Sequence, residues 1–136
     1  MKFSRELSCH FDLCDPAGIL FYGQAFFICH QTIEEFVQHI GIHWEEWFAN
    51  PKLSVPVRHA EAEYTLPIHA GDKFKAVLQL NKLGSSSVCF EVNLINSKGE
   101  SCAKVTNIHV FIDRESGKKT NIPGSFEDRL RRYLSA

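Results

Sequence analysis

The hydrophobic pattern changes period twice along the chain. Residues 2–12 alternate loosely, with Phe3, Leu7, Cys9 and Phe11 set against Ser4, Glu6, Ser8 and His10, which predicts a strand. Pro16 and Gly18 interrupt it. From Gly23 the apolar positions fall at helical spacing: Phe26, His30, Ile33, Val37 and Ile40 share a stripe that Phe27, Cys29 and Phe36 broaden. Gln31, Glu34, Glu35 and Gln38 fill the other side, and Gly41 ends the helix. So apolar a face belongs to a helix wrapped by other structure.

After a short helix or turn over Trp44–Phe48, the period returns to two. A strand-like stretch over 53–66 leads to a turn at His69-Ala70-Gly71-Asp72. Phe74, Ala76, Leu78 and Leu80 alternate with polar neighbours as far as Gly84-Ser85-Ser86-Ser87. Val88, Phe90, Val92 and Leu94 alternate up to Asn96-Ser97-Lys98-Gly99, a hairpin signal. Ile108, Val110 and Ile112 form one face of the last strand. Ser125-x-x-Asp128 reads as a capping box for a C-terminal helix carrying Phe126, Leu130, Tyr133 and Leu134. The order is strand, long helix, then four antiparallel strands: an α+β chain whose sheet curls round one helix.

Residues 1–136 suit a single domain with a core of its own. Fifteen basic against sixteen acidic residues leave no surplus charge, which argues against a broad nucleic-acid or membrane-surface footprint. The five cysteines are odd in number and lack Cys-x-x-Cys spacing. Residues 1–12 are charged and alternating, unlike a signal segment, and no apolar run reaches the ~18 residues of a membrane span. A cytoplasmic protein with reduced thiols is the expectation.

The densest chemistry lies in Cys14-Asp15-Pro16-Ala17-Gly18-Ile19-Leu20-Phe21-Tyr22. Asp-Pro is an ordinary way to start a turn. A carboxylate just ahead of a helix can also attack a carbonyl, or activate water to do so, while free helical N–H groups take the oxygen that becomes negative. No Ser, Thr, Asp or Asn stands near the helix start as an N-cap, which leaves the N–H groups around Tyr22 and Gly23 without a local side-chain acceptor. Gly23 with water is the bland alternative. His39 and His43 are four apart, but Gly41 breaks the helix between them and no third ligand appears, so no metal or other cofactor is expected. Cys29 and His30 are adjacent on a helix and do not face each other.

This loop resembles the active-site loop of hotdog-fold acyl-CoA thioesterases of the hydroxybenzoyl-CoA type, whose motif reads roughly Asp-x-x-Gly-(Ile/Val)-x-(Phe/Tyr). Asp15, Gly18, Ile19 and Phe21 fit it. The likeness continues through Ile28–Gln31, Val55–Tyr64 and Pro67–Asp72, where it is most similar to the subgroup that hydrolyses dihydroxynaphthoyl-CoA. The resemblance implies a hotdog fold, with an antiparallel sheet wrapped around one long helix, and a homodimer or homotetramer with sites at subunit interfaces. It implies Asp15 as nucleophile or base, the backbone N–H at Tyr22 with Gly23 as the oxyanion hole, and an acyl-CoA substrate. Phe26 and His30 would wall the acyl pocket, with His59 contributing from a neighbouring subunit.

Two features depart from the hydroxybenzoyl-CoA pattern. His30 stands where that enzyme has an Asp near the ring hydroxyl, which suits a different hydroxylated acyl group. Gly84-Ser85-Ser86-Ser87 replaces a basic run used for the CoA phosphates, so Lys82, Lys104, Arg58 or backbone N–H groups would have to serve. A short-chain aliphatic acyl-CoA or acyl-carrier-protein thioesterase shares the Asp loop and is the nearest rival. A non-catalytic acyl-CoA-binding protein is another, but a binder gains nothing from an anion beside a thioester carbonyl. Hotdog hydratases want a His five residues beyond the Asp, and Leu20 stands there.

Overall fold

The computed structural model describes residues 1–136. Strand β1 (Phe3–Ser8) is followed by a single 3-10 turn (Phe11–Leu13) and the long helix α1 (Gln24–His39). A short helix α2 (Trp44–Phe48) precedes β2 (Leu53–Ser54), β3 (Val57–Tyr64), β4 (Lys73–Leu83), β5 (Ser87–Asn96), β6 (Ser101–Val110) and β7 (Ile112–Asp113), and α3 (Gly124–Arg131) follows. Five strands make one antiparallel sheet in the order β1-β4-β5-β6-β3, while β2 and β7 pair as a small ribbon. This is the hotdog arrangement.

Strand alternation decides which face meets α1. Phe74, Ala76, Leu78 and Leu80 of β4 and Phe90, Val92 and Leu94 of β5 are all buried, while their neighbours along each strand are polar or partly exposed. From the helix, Ala25, Ile28, Cys29, Thr32, Ile33, Phe36 and Val37 point into this layer. Phe36 meets the rings of Phe3, Phe90 and Tyr133. Trp47 of α2 closes one end against Phe90, Phe111 and Phe126.

Four expectations are corrected. The buried stripe of α1 runs through residues 25, 28, 29, 32, 33, 36 and 37, so Phe26 lies at its margin, His30 is exposed, and Phe27 is 67% exposed. The first strand stops at Ser8, because residues 11–13 turn in order to place the loop beyond them. On β6 the core parity is Ala103, Val105, Asn107 and His109, whereas Ile108 is only half-buried; two polar residues continue an apolar parity, and that misled the alternation. Helix α3 starts after Pro123 with no side-chain cap bond, so Ser125 already sits inside the helix rather than capping it.

The candidate active site

The loop between the 3-10 turn and α1 is a miniature hairpin. The Asp15 N–H donates to Ile19 O (2.9 Å), and the Gly18 N–H donates to Asp15 O (2.9 Å), which closes a turn over Asp15-Pro16-Ala17-Gly18. Gly18 has φ +77°, a left-handed conformation that a side chain resists. Two further bonds dock the hairpin on the segment before β4: Leu20 N–H to Ile68 O (2.7 Å) and Ala70 N–H to Gly18 O (2.9 Å). The Phe21 N–H donates back to Leu13 O (2.9 Å). Both ends of the loop are therefore held by backbone bonds.

The turn role of Asp15 leaves room for a chemical one. Its Oδ1 accepts the Ala17 N–H at 2.9 Å and the Ile19 N–H at 3.4 Å, a local Asx turn. Its Oδ2 meets no protein donor. One oxygen thus orients the carboxylate while the other stays available.

At the helix start, Gln24, Ala25 and Phe26 donate to Phe21 O, Tyr22 O and Gly23 O. The N–H groups of Tyr22 and Gly23 donate to no protein acceptor, and Gly23 makes no side-chain cap. From β3, the Tyr64 hydroxyl donates to Tyr22 O. Carbonyl and N–H point opposite ways across a trans peptide, so this bond also fixes the direction of the Gly23 N–H. Burial and the neighbouring Tyr22 raise the Tyr64 pKa, which keeps its hydroxyl protonated as a donor. Asp15, Tyr22 and Tyr64 line one cavity of about 460 Å³ together with Ile19, Leu20 and Leu66. A hollow of about 500 Å³ where β1 ends, β4 begins and β5 ends holds none of the site residues expected from sequence.

The other expected residues do not line this cavity. His30 bonds through Nε2 to Glu34 Oε1 (2.9 Å) and meets the Phe48 ring edge-on. Phe26 packs at the margin of the core. His59 pairs in register with half-buried Ile108 on the sheet face away from α1, and its Nε2 lies 3.7 Å from Glu61, so within one protomer it is apart from Asp15. Lys104 stands beside Glu91 on that same outer face. Cys29 is fully buried and its thiol pKa is pushed up to about 12 by desolvation, consistent with packing rather than nucleophilic work. No group of three or more His, Cys, Asp or Glu is placed to hold a metal ion, and no helix is long and apolar enough to cross a membrane.

Tyr64 is a residue that sequence reading missed. It closes the strand-like block before Pro67, and its only signal was an aromatic with a polar tip at a strand end.

Residues 9–130 match the family model described as the thioesterase-like superfamily. A 1,4-dihydroxy-2-naphthoyl-CoA hydrolase from Nostoc punctiforme is 30% identical over 124 residues, which cover 90% of this chain and 82% of that protein. A protein of the same description from Crocosphaera subtropica is 26% identical over 133 residues, 96% of each chain. Among solved structures, a 1,4-dihydroxy-2-naphthoyl-CoA thioesterase from Synechocystis superposes with a TM-score of 0.88 at 19% identity over 96% of each chain, a likeness of fold.

Proposed function

The chain belongs to the thioesterase-like superfamily, and on that premise we propose that it hydrolyses an aromatic acyl-CoA thioester to the free acid and CoA. The observation that carries the reading is the pairing of a half-free carboxylate with two unspent backbone N–H groups at the start of α1, around one cavity. Asp15 attacks the thioester carbonyl or activates the water that does so. The N–H groups of Tyr22 and Gly23 take the oxyanion, and removing one such donor typically slows a reaction about 10²–10³-fold. Phe26 and His30 lie further along the same helix and serve the acyl group. The names of the relatives favour 1,4-dihydroxy-2-naphthoyl-CoA as the first substrate, and the Asp15 loop motif makes 4-hydroxybenzoyl-CoA the second.

The working unit in this reading is a homodimer or homotetramer. Strand β3 is a sheet edge exposed on both faces, with Tyr64 and the following Leu66 uncovered at the cavity and Val57 uncovered at the strand's other end. Pairing of such edges would bring His59 of a neighbouring copy into play. The test is thiol release from a panel of aryl- and alkyl-CoA esters. Turnover of aryl esters supports the proposal, and turnover of aliphatic esters alone moves the protein to the short-chain branch. Tight acyl-CoA binding with no release from any ester makes it a binding protein instead.

A further inference from the structure

Four residues of β6 face α1, and the last two are polar. Asn107 is 5% exposed and His109 2%, yet Asn107 Oδ1 and both His109 ring nitrogens meet no hydrogen-bond partner in the protein. That is unusual, because a buried polar atom left unpaired costs about 1–3 kcal/mol. The other buried polar residue, Thr32, donates to Ile28 O at 2.7 Å. Trp47 Nε1 is also unpaired, but it sits alone among aromatic rings. Asn107 and His109 instead stand two residues apart on one parity of one strand.

Their neighbours point to an occupant. The partners of Ala103, Val105 and Asn107 on the edge strand are Tyr64, Ala62 and Ala60, and Ala60 is exposed. Beside α1 the margin of the sheet is therefore a partly uncovered strip that carries the methyl groups of Ala60 and Ala62. One end is the Tyr64–Ala103 pair, which walls the Asp15 cavity. Asn107 lies four residues on, about 13 Å along the strand. On the helix side His30 is seven residues beyond Gly23, about 10 Å along the axis. His30 is close enough to His109 to help burial hold its pKa down, at about 4, so the inner imidazole is neutral, with one donor and one acceptor. His30 itself is exposed and tethered by a single bond to Glu34, so it can swing aside.

We propose that Asn107 and His109 recognise hydroxyl groups on the acyl part of the substrate, with His30 closing that end of the strip, so that hydroxylated aryl thioesters are selected over unsubstituted ones. The inference rests on the thioesterase reading and extends it to specificity. A ring hydroxyl donates to Asn107 Oδ1 or to the bare His109 nitrogen, and accepts from the N–H of the His109 ring. A plain aryl ring leaves all three atoms unpaired, which is how a polar pocket rejects a substrate lacking the group.

The experiment measures kcat/KM for 1,4-dihydroxy-2-naphthoyl-CoA and 2-naphthoyl-CoA in wild type, Asn107→Leu and His109→Leu, with Tm recorded for each. The expected result is that the hydroxylated-to-plain ratio falls about 10- to 100-fold in either variant. Tm should not drop at neutral pH, since apolar groups of similar shape remove an unpaired burden. An unchanged ratio in both variants, with wild type still turning over aryl esters, overturns the inference and leaves the thioesterase reading intact. No turnover of any ester by wild type overturns the thioesterase reading itself. Should the variants fail to fold, the histidine ring 15N shifts of wild type decide the matter. His109 responding to 1,4-dihydroxy-2-naphthoic acid but not to 2-naphthoic acid supports the assignment; an equal response, or none, refutes it.

Discussion

Replacing Asp15 by Asn removes the charge and the free Oδ2 oxygen while sparing the loop. Asn keeps Oδ1, so the bonds from the Ala17 and Ile19 N–H groups survive, as do the backbone bonds from Asp15 N–H to Ile19 O and from Gly18 N–H to Asp15 O. Stability should therefore change by less than about 0.5 kcal/mol. Activity should fall steeply, and the size of the fall reports the role. A general base contributes about 10²–10⁴-fold, whereas loss of a covalent nucleophile in a worked protease case costs about 10⁶-fold in kcat. These correspond to roughly 3–5 and 8 kcal/mol of barrier. The assay is thiol release from an aryl-CoA ester under saturating conditions, with chemical denaturation run on the same preparations. A variant of wild-type stability that keeps more than a tenth of the wild-type rate would refute the assignment of Asp15.

Three other outcomes follow from individual contacts. Gly18→Ala forces a side chain into φ +77° although its Cβ would touch nothing, so pure backbone strain should cost about 1–2 kcal/mol in denaturant melts. A neutral result would mean the turn relaxes freely. Tyr64→Phe removes the hydroxyl that orients the Tyr22–Gly23 peptide and should lower kcat about 5- to 10-fold with KM little changed, as read from initial rates; an effect on KM alone would place Tyr64 in binding. His109 has its folded pKa lowered to about 4 from 6.5, so below pH 6.5 the unfolded chain binds the extra proton. Its contribution is thus full above pH 6.5 and is lost as pH falls toward 4, by about 3 kcal/mol. Against His109→Leu, wild type should lose that amount between pH 7 and pH 4 in urea melts. A stability difference that stays flat with pH would show His109 to be accessible to protons in the folded state.

The legible part of this protein is what local sequence encodes through period and turn chemistry. Alternation marked the inward residues of β4 and β5, and Pro16 with Gly18 marked the tight loop that holds Asp15. The absence of a capping side chain before α1 anticipated two unspent N–H groups, and the hydrogen bonds leave Tyr22 and Gly23 in that state. Parity failed at β6, where apolar Ile108 competed with Asn107 and His109 and alternation has no means of weighing a buried polar residue against an exposed apolar one. The stripe of α1 slipped for a similar reason. Apolar Phe26 and Phe27 and the partly apolar ring of His30 extended the apparent hydrophobic face, while the small residue Ala25 and the hydroxyl-bearing Thr32 joined the buried one.

By itself, then, the chain determined most of its elements, the tight loop at Asp15 and the backbone donors beside it, because each depends on residues within a few positions of one another. Only the tertiary structure decided that Tyr64, 42 residues from Tyr22, would clamp the peptide of the expected oxyanion hole. It also decided that β3 would be an open edge, and that three polar atoms of β6 would be buried without partners. Such facts arise when strands distant in sequence are set side by side around one helix. No local period carries that information, since register and edge position are settled by which hydrophobic faces can be buried together.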